Sequence, residues 1–234
     1  MNQNNIRENI DNIRMRVEKA ALKAGRKPEE IKIIAVTKNI APDKIIEAID
    51  AGIVDLGENR VQELQDKINT INALKKNANW HMIGHLQRNK VKYLIDSVDM
   101  IHSLDSIELA TETDKRAQKA NRIIDVLVQV NIAGEKSKFG IYEDRVMDFV
   151  KKASKCKNIK VKGLMTIAPL VQDPEDARFV FKQLRKIFID ISRENIDNID
   201  MDYLSMGMSN DFEVAIEEGA NIVRIGTAIF GKRY

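Results

Sequence analysis

The run IKIIAVTK (31–38) is almost uncharged, rich in β-branched residues, and stops on a lysine. Seven runs of similar texture follow it: VDLGEN (54–59), WHMIG (80–84), MIHSLD (100–105), IIDVLVQVNI (123–132), IKVKGLMTI (159–167), YLSMGMS (203–209) and NIVRIGTAIFG (221–231). Runs this apolar, without clean alternation, suit strands of a parallel sheet covered on both faces. Upstream of the first run, Ile6, Ile10, Ile13, Val17, Ala20, Ala21 and Ala24 recur at steps of three and four, and Gly25 ends this amphipathic helix. Downstream, a second helix has Pro42 near its first turn and stops before Gly52, the expected asymmetry of helix ends. Farther on, Ala177, Val180, Phe181, Leu184, Ile187, Phe188 and Ile191 mark one helical face. The inventory is eight strands, seven intervening helices and one leading helix. Such alternation implies a parallel sheet with right-handed crossovers. Eight repeats favour an α/β fold closed into a (β/α)8 TIM barrel over an open doubly wound sheet. The 234 residues fit one such barrel, which needs about 250. No Pro/Gly/Ser-rich linker divides them, so residues 1–234 are expected to form a single domain.

Hydrophobic residues make up 44% and charged residues 31%, enough to fill a core and keep it in solution. The 38 basic and 35 acidic residues are spread along the chain, so the net charge of +3 marks no basic patch. With 5% aromatics and no RNA-binding or zinc-finger signature, no nucleic-acid partner is expected. No apolar run approaches the ~20 residues that span a bilayer, so no membrane partner is expected either. The N-terminus lacks the apolar core of a signal peptide and carries acidic residues, which points to the cytoplasm. A lone cysteine, Cys156, fits a reducing compartment; it falls in phase with Val146, Phe149, Val150 and Ala153, which favours packing over a reactive thiol. A monomer is expected.

In this fold functional groups gather at the C-terminal ends of the strands. Lys38 ends the first strand, where desolvation favours a neutral, nucleophilic amine able to form a Schiff base with a carbonyl compound. The plainer reading is a lysine that snorkels to solvent. Near the other end of the sequence, LSMGMS runs straight into NDFEVAIEEGAN, and the last strand carries Arg224-Ile225-Gly226-Thr227. Small residues at both strand ends let backbone N–H groups approach a ligand, and helix N-termini and amide nests favour phosphate. Alone, Ser209 is an ordinary N-cap and Gly226 a tight turn. Their pairing in adjacent strands, together with a strand-end lysine, favours a phosphate site, which in barrels recurs after strands seven and eight.

The motifs AVTKNIAPDK (35–44), LGENRVQE (56–63), WHMIGHLQRNK (80–90), IHSLDS (101–106), GEKSKFGI (134–141), GLMTIAP (163–169), LSMGMSNDFEVAIEEG (204–219) and RIGTAIFG (224–231) resemble those of the pyridoxal phosphate homeostasis proteins. That family is related to the barrel domain of alanine racemase and shares its fold-type III binding of pyridoxal 5′-phosphate (PLP). The resemblance covers essentially the whole chain in order. It implies that Lys38 holds PLP as an internal aldimine. It further implies that Ser209, Gly226 and Thr227 hold the phosphate and that Arg224 faces the pyridine nitrogen. Asn59 and Met165 complete the expected contacts. The interval of fifteen residues from Ser209 to Arg224 agrees with the racemase arrangement. The implied role is intracellular vitamin B6 balance as a PLP carrier or buffer, with PLP-dependent apo-enzymes as candidate recipients.

An arginine at the ring nitrogen disfavours its protonation and weakens the ring as an electron sink, which suits holding the cofactor. A racemase needs a second acid/base facing the lysine. In alanine racemase that is a tyrosine from a C-terminal β-domain, and Tyr93, Tyr142, Tyr203 and Tyr234 do not match it; the chain stops three residues after Gly231. The racemase pattern also has a histidine after GLMT, where this chain has Ile167. No racemase activity is therefore expected. The alternatives are a small PLP-dependent amino-acid racemase with an unrecognised second base, and a Schiff-base aldolase on the same barrel. His81 and His85 are four apart but straddle a strand end, and no metal is expected. His102 reads as a core or mouth histidine. Lys75-Lys76 and Lys151-Lys152 read as solvated helix faces. Lys138 either approaches the cofactor's phenolic oxygen or lies in a surface loop.

Overall fold

The computed structural model describes residues 5–135 and 138–231; Tyr234, and Lys136 and Ser137 of the GEKSKFGI motif, lie outside them. Eight parallel strands close a barrel: β1 (Lys32–Val36), β2 (Asp55–Glu58), β3 (Asn79–Met82), β4 (Met100–Leu104), β5 (Ile124–Asn131), β7 (Ile159–Met165), β8 (Ile199–Ser205) and β9 (Ile222–Ile225). Pairing runs β4-β3-β2-β1-β9-β8-β7-β5, and β4 pairs with β5 to shut the ring. A two-residue strand, β6 (Ile141–Tyr142), adds to β5 beyond the sequence inventory, pairing Val130 with Ile141.

The helical coat is α1 (Ile6–Lys23), α2 (Pro42–Asp50), α3 (Val61–Ala73), α4 (Val91–Leu94), α5 (Ile107–Lys119), α6 (Val146–Ala153), α7 (Arg178–Arg193) and α8 (Phe212–Glu217). The leading helix is part of this coat. The helix after the last strand, α9 (Thr227–Phe230), is one turn long, and α1 packs against α8, α9 and α2 to cover the seam. Its apolar face, Ile6 to Ala21, is buried, and burying each of Ile6, Ile10, Ile13 and Val17 stabilises by roughly 1.5–3 kcal/mol. Asn5 caps its start, and Gly25 at φ 68° follows its end.

Two strand boundaries differ from the apolar runs. NIVRIGTAIFG (221–231) is strand only to Ile225; the Gly226 carbonyl accepts the amides of Ile229 and Phe230, so the rest turns into α9. Conversely, β8 begins at Ile199, ahead of YLSMGMS. Its first half alternates polar residues, with Asp200 and Asp202 pairing to Lys162 and Asp200 also to Lys160 on β7, so charge complementarity rather than apolarity forms that half.

Most of the core lies between barrel and coat. Inside the barrel sits a small cluster, Ile34, Met100, Leu127, Met165 and Ile222, with Tyr203 against it. Polar side chains are buried there too: Asp55, His81, His102, Ser205 and Arg224 form one connected line. Cys156 is half-buried against the coat, and burial, with Asp114 nearby, pushes its thiol up. No helix among the described residues is long and apolar enough to cross a membrane.

Candidate functional site

The strand ends enclose a cavity of about 500 Å³. Its walls include Lys38, Asn59, Ser209, Arg224, Gly226 and Thr227, so six of the seven expected contacts come together. Met165 is the exception: it is fully buried in the inner cluster and does not line the cavity. One larger surface hollow, beside Gln87, Glu108 and Glu112, gathers none of these residues.

Lys38 leaves β1 where the chain must turn sharply, and Asn39 takes a left-handed φ of 56° there, a conformation asparagine tolerates. The flanking backbone is tied from beneath. Lys67 on α3 donates to the Thr37 carbonyl at 2.7 Å, to Glu58 at 2.7 Å and to Glu63 at 3.0 Å. Glu58 in turn accepts the Thr37 hydroxyl at 2.9 Å and the Asn59 amide at 2.7 Å, while Glu63 accepts the Asn39 amide at 3.0 Å. One buried ion pair thus fixes the backbone beside both Lys38 and Asn59. The half-buried Lys38 amine itself has no hydrogen-bond or ion-pair partner among the described residues. Beside it, Asn59 Oδ1 is buried with no partner there either, an acceptor left for a ligand. Gly84 holds Asn59 close: a Cβ at 84 would stand 2.4 Å from the Asn59 carbonyl oxygen.

On the neighbouring strands the amides of Gly226 and Ala228 both donate to Ser209 Oγ at 3.3 Å, so two N–H groups converge on one oxygen. That is the geometry of an anion nest. Ser209 is not the N-cap of α8; Asp211 is, and its Oδ1 accepts the Met208 amide at 2.6 Å. Burial pushes the Asp211 carboxyl up, against that hydrogen bond and the nearby Arg224. The loop depends on Gly207, whose φ is 91° and whose Cβ would meet Ala215 Cβ at 2.6 Å. Gly207→Ala is expected to destabilise the fold by about 1–3 kcal/mol, read as a lower urea midpoint, and to disorder the nest.

Arg224 Nη1 donates to Ser205 Oγ at 2.6 Å and Nη2 to the Thr166 carbonyl at 2.8 Å. Burial lowers this guanidinium to about 10, with Asp211 opposing, so it stays charged at neutral pH. Lys138 lines the cavity and pairs with Glu135 at 2.7 Å; its loop is held by Asn131, which donates to the carbonyls of Glu135 and Lys138. Ile167, Ala168, Pro169 and Val171 form an apolar lip. His81 and His85 serve different partners: His81 meets Asp55 and His102 inside the barrel, while His85 bonds Asp105 at 3.0 Å and stacks on Phe139.

Fold and site together define a barrel of the alanine racemase N-terminal class, and the family model "Alanine racemase, N-terminal domain" matches residues 1–234. Within that class the chain belongs to the pyridoxal phosphate homeostasis protein family. It is 45% identical over 226 residues to the protein of that name from Aquifex aeolicus, covering 97% of each chain. It is similar to the solved structure of PipY from Synechococcus elongatus with PLP bound, at 32% identity and a TM-score of 0.81, covering 92% of this chain and all of that one. Alanine racemase from Clostridium difficile shares the fold at 14% identity and a TM-score of 0.74, this chain spanning 56% of its length.

Proposed function

We propose that this chain is a cytoplasmic PLP carrier that holds the cofactor covalently on Lys38 at the barrel mouth. One observation carries the reading: a single cavity brings together an unpaired amine, two amides converging on one oxygen, and a buried guanidinium. Those donors match an aldehyde, a phosphate and a ring nitrogen, the three polar features of PLP, and a relative 32% identical holds that ligand. When bound, PLP supplies an aldehyde that exchanges between amines and a ring that withdraws electrons.

Lys38 would hold the cofactor through its amine, a nucleophile suited to condensing with an aldehyde with loss of water. The Gly226 and Ala228 amides, with the Ser209 and Thr227 hydroxyls, take the phosphate; Asn59 Oδ1 accepts from a ligand donor. Arg224 offers an N–H to the ring nitrogen and keeps its own proton, so that nitrogen stays an acceptor. Lys138, paired with Glu135, adds positive potential at the rim. Among the described residues no tyrosine or histidine lines the cavity to act as a second acid/base, which favours a carrier over a racemase. A monomeric state belongs to the same proposal. PLP-dependent apo-enzymes are its recipients.

The test is to load the purified protein with PLP, reduce with borohydride and map the modified peptide; a label anywhere but Lys38 removes the covalent assignment. Pyridoxal, which lacks the phosphate, is expected to bind at least about tenfold more weakly than PLP by fluorescence titration, since charge-assisted bonds to the nest are lost. Inversion of free amino acids in deuterated water would favour the racemase instead, and transfer to an apo-enzyme no faster than passive release would remove the delivery role.

A further inference from the structure

A line of side chains crosses the barrel lumen beneath the cavity. Arg224 Nη1 reaches Ser205 Oγ at 2.6 Å, Ser205 Oγ lies 3.0 Å from His102 Nδ1, and His102 Nε2 lies 3.0 Å from His81 Nδ1. His81 Nε2 lies 3.1 Å from Asp55 Oδ1, which also takes Asn79 Nδ2 and pairs with Lys32 near the opposite end of the barrel. Five strands contribute, and nothing in the cofactor contacts calls for the inner four residues.

The two ends fix the outer bonds, and neutral rings fix the two between them. A guanidinium only donates and an ionised carboxylate only accepts. Burial pushes the Asp55 carboxyl up, but hydrogen bonds from His81 and Asn79 and the Lys32 charge outweigh it and hold the group below its ordinary value. His81 therefore donates from Nε2, and in a neutral ring its Nδ1 then accepts from His102 Nε2–H. His102 Nδ1 accepts the Ser205 hydroxyl proton, which leaves the Ser205 lone pairs to Arg224. With both rings neutral and protonated on Nε2, every polar atom in the line is satisfied. Charging His81 would reverse the two middle bonds and leave the Ser205 proton between two donors. Burial, with His81, Arg224 and Lys32 around it, holds the His102 imidazole well below its ordinary range, in keeping with a neutral ring.

We propose that Ser205, His102, His81 and Asp55 are positioning residues acting through Arg224, a one-way donor line that sets the guanidinium's orientation and the strength of the hydrogen bond it offers a ring nitrogen. The proposal rests on the reading of Arg224 given above. Aligned bonds polarise one another, so the pull of Asp55 reaches Ser205 and sharpens its lone pair toward Nη1. With Nη1 and Nη2 tied to Ser205 and Thr166, the guanidinium cannot rotate away when the ligand leaves. The line is a clamp and not a proton conduit, because Arg224 does not release its proton at neutral pH.

Two measurements decide it. In ligand-free protein, nitrogen-15 spectra of the imidazoles are expected to show His81 and His102 both neutral with the proton on Nε2; a charged ring, or a proton on His102 Nδ1, overturns the donor line. In PLP-loaded protein, Ser205→Ala is expected to shift the absorption of the bound cofactor and weaken binding about tenfold, the cost of unpairing one charged donor, whereas Ser205→Thr keeps the hydroxyl and restores the spectrum. An Ala variant whose spectrum and affinity match the unaltered protein overturns the positioning role. If the unaltered protein itself takes up no PLP, the cofactor reading fails instead, and the imidazole spectra still decide the line.

Discussion

Lys38→Ala abolishes the borohydride-trapped label and the visible absorption of PLP-loaded protein while leaving the unfolding free energy in urea within about 0.5 kcal/mol. The expectation of a complete loss rests on the other amine in the cavity. Lys138 also lines it, but its amine is engaged by Glu135 at 2.7 Å, whereas Lys38 has no partner among the described residues. The stability expectation rests on Lys38 being half-buried with no described partner, so its removal unpairs nothing. PLP still reaches the nest and Arg224 in this variant, so weak, reversible binding survives without the colour of the covalent form. Transfer of the label to Lys138, or an unchanged spectrum, would show that strand-end position does not select the reactive amine.

Glu58→Ala costs about 2–4 kcal/mol of folding stability, the largest loss expected from any single change at the site. Glu58 is fully buried, and its removal leaves the Lys67 ammonium, which is 7% exposed, with only Glu63 and the Thr37 carbonyl, and takes the shared acceptor from the Thr37 hydroxyl and the Asn59 amide. A double variant with Lys67→Met removes that buried charge and should recover part of the loss in urea unfolding. It should not recover the rate at which borohydride traps PLP. The Thr37 carbonyl loses its Lys67 bond in the double variant, so the backbone carrying Lys38 is no longer held. Equal recovery of stability and trapping rate would mean that the ion pair only stabilises and does not position.

The sequence reading reached the barrel because strand–helix alternation is a local signal repeated eight times, and each apolar run lies on a strand. It missed the first half of β8, since Asp200 and Asp202 look like loop residues until Lys160 and Lys162 are placed beside them on β7. It extended the last strand through Thr227–Phe230, where apolar residues form a helical turn that packs on the coat. At the site, Lys38, Ser209 and Arg224 were legible because strand ends are where such residues are unusual. Met165 was not separable from its neighbours, because one step along a strand decides between the pocket wall and the interior. The support beneath the site was invisible for a different reason. Glu58 and Lys67, or His81, His102 and Ser205, meet only through pairing between elements distant in sequence, and no spacing within one segment signals it. Asp211 had a visible signal, an acidic residue just before a helix, but its nearness to Arg224 depends on the loop that Gly207 allows.

The lumen of this barrel holds only a thin apolar layer, with hydrogen-bonded polar groups lying toward the mouth and toward the base. What keeps the ring closed is therefore its outer belt, far from the traffic at the mouth. A barrel built this way does not need a ligand in order to close, and a bound ligand adds stability by mass action, growing with its free concentration. Loss of a bound ligand is therefore expected to leave the barrel folded.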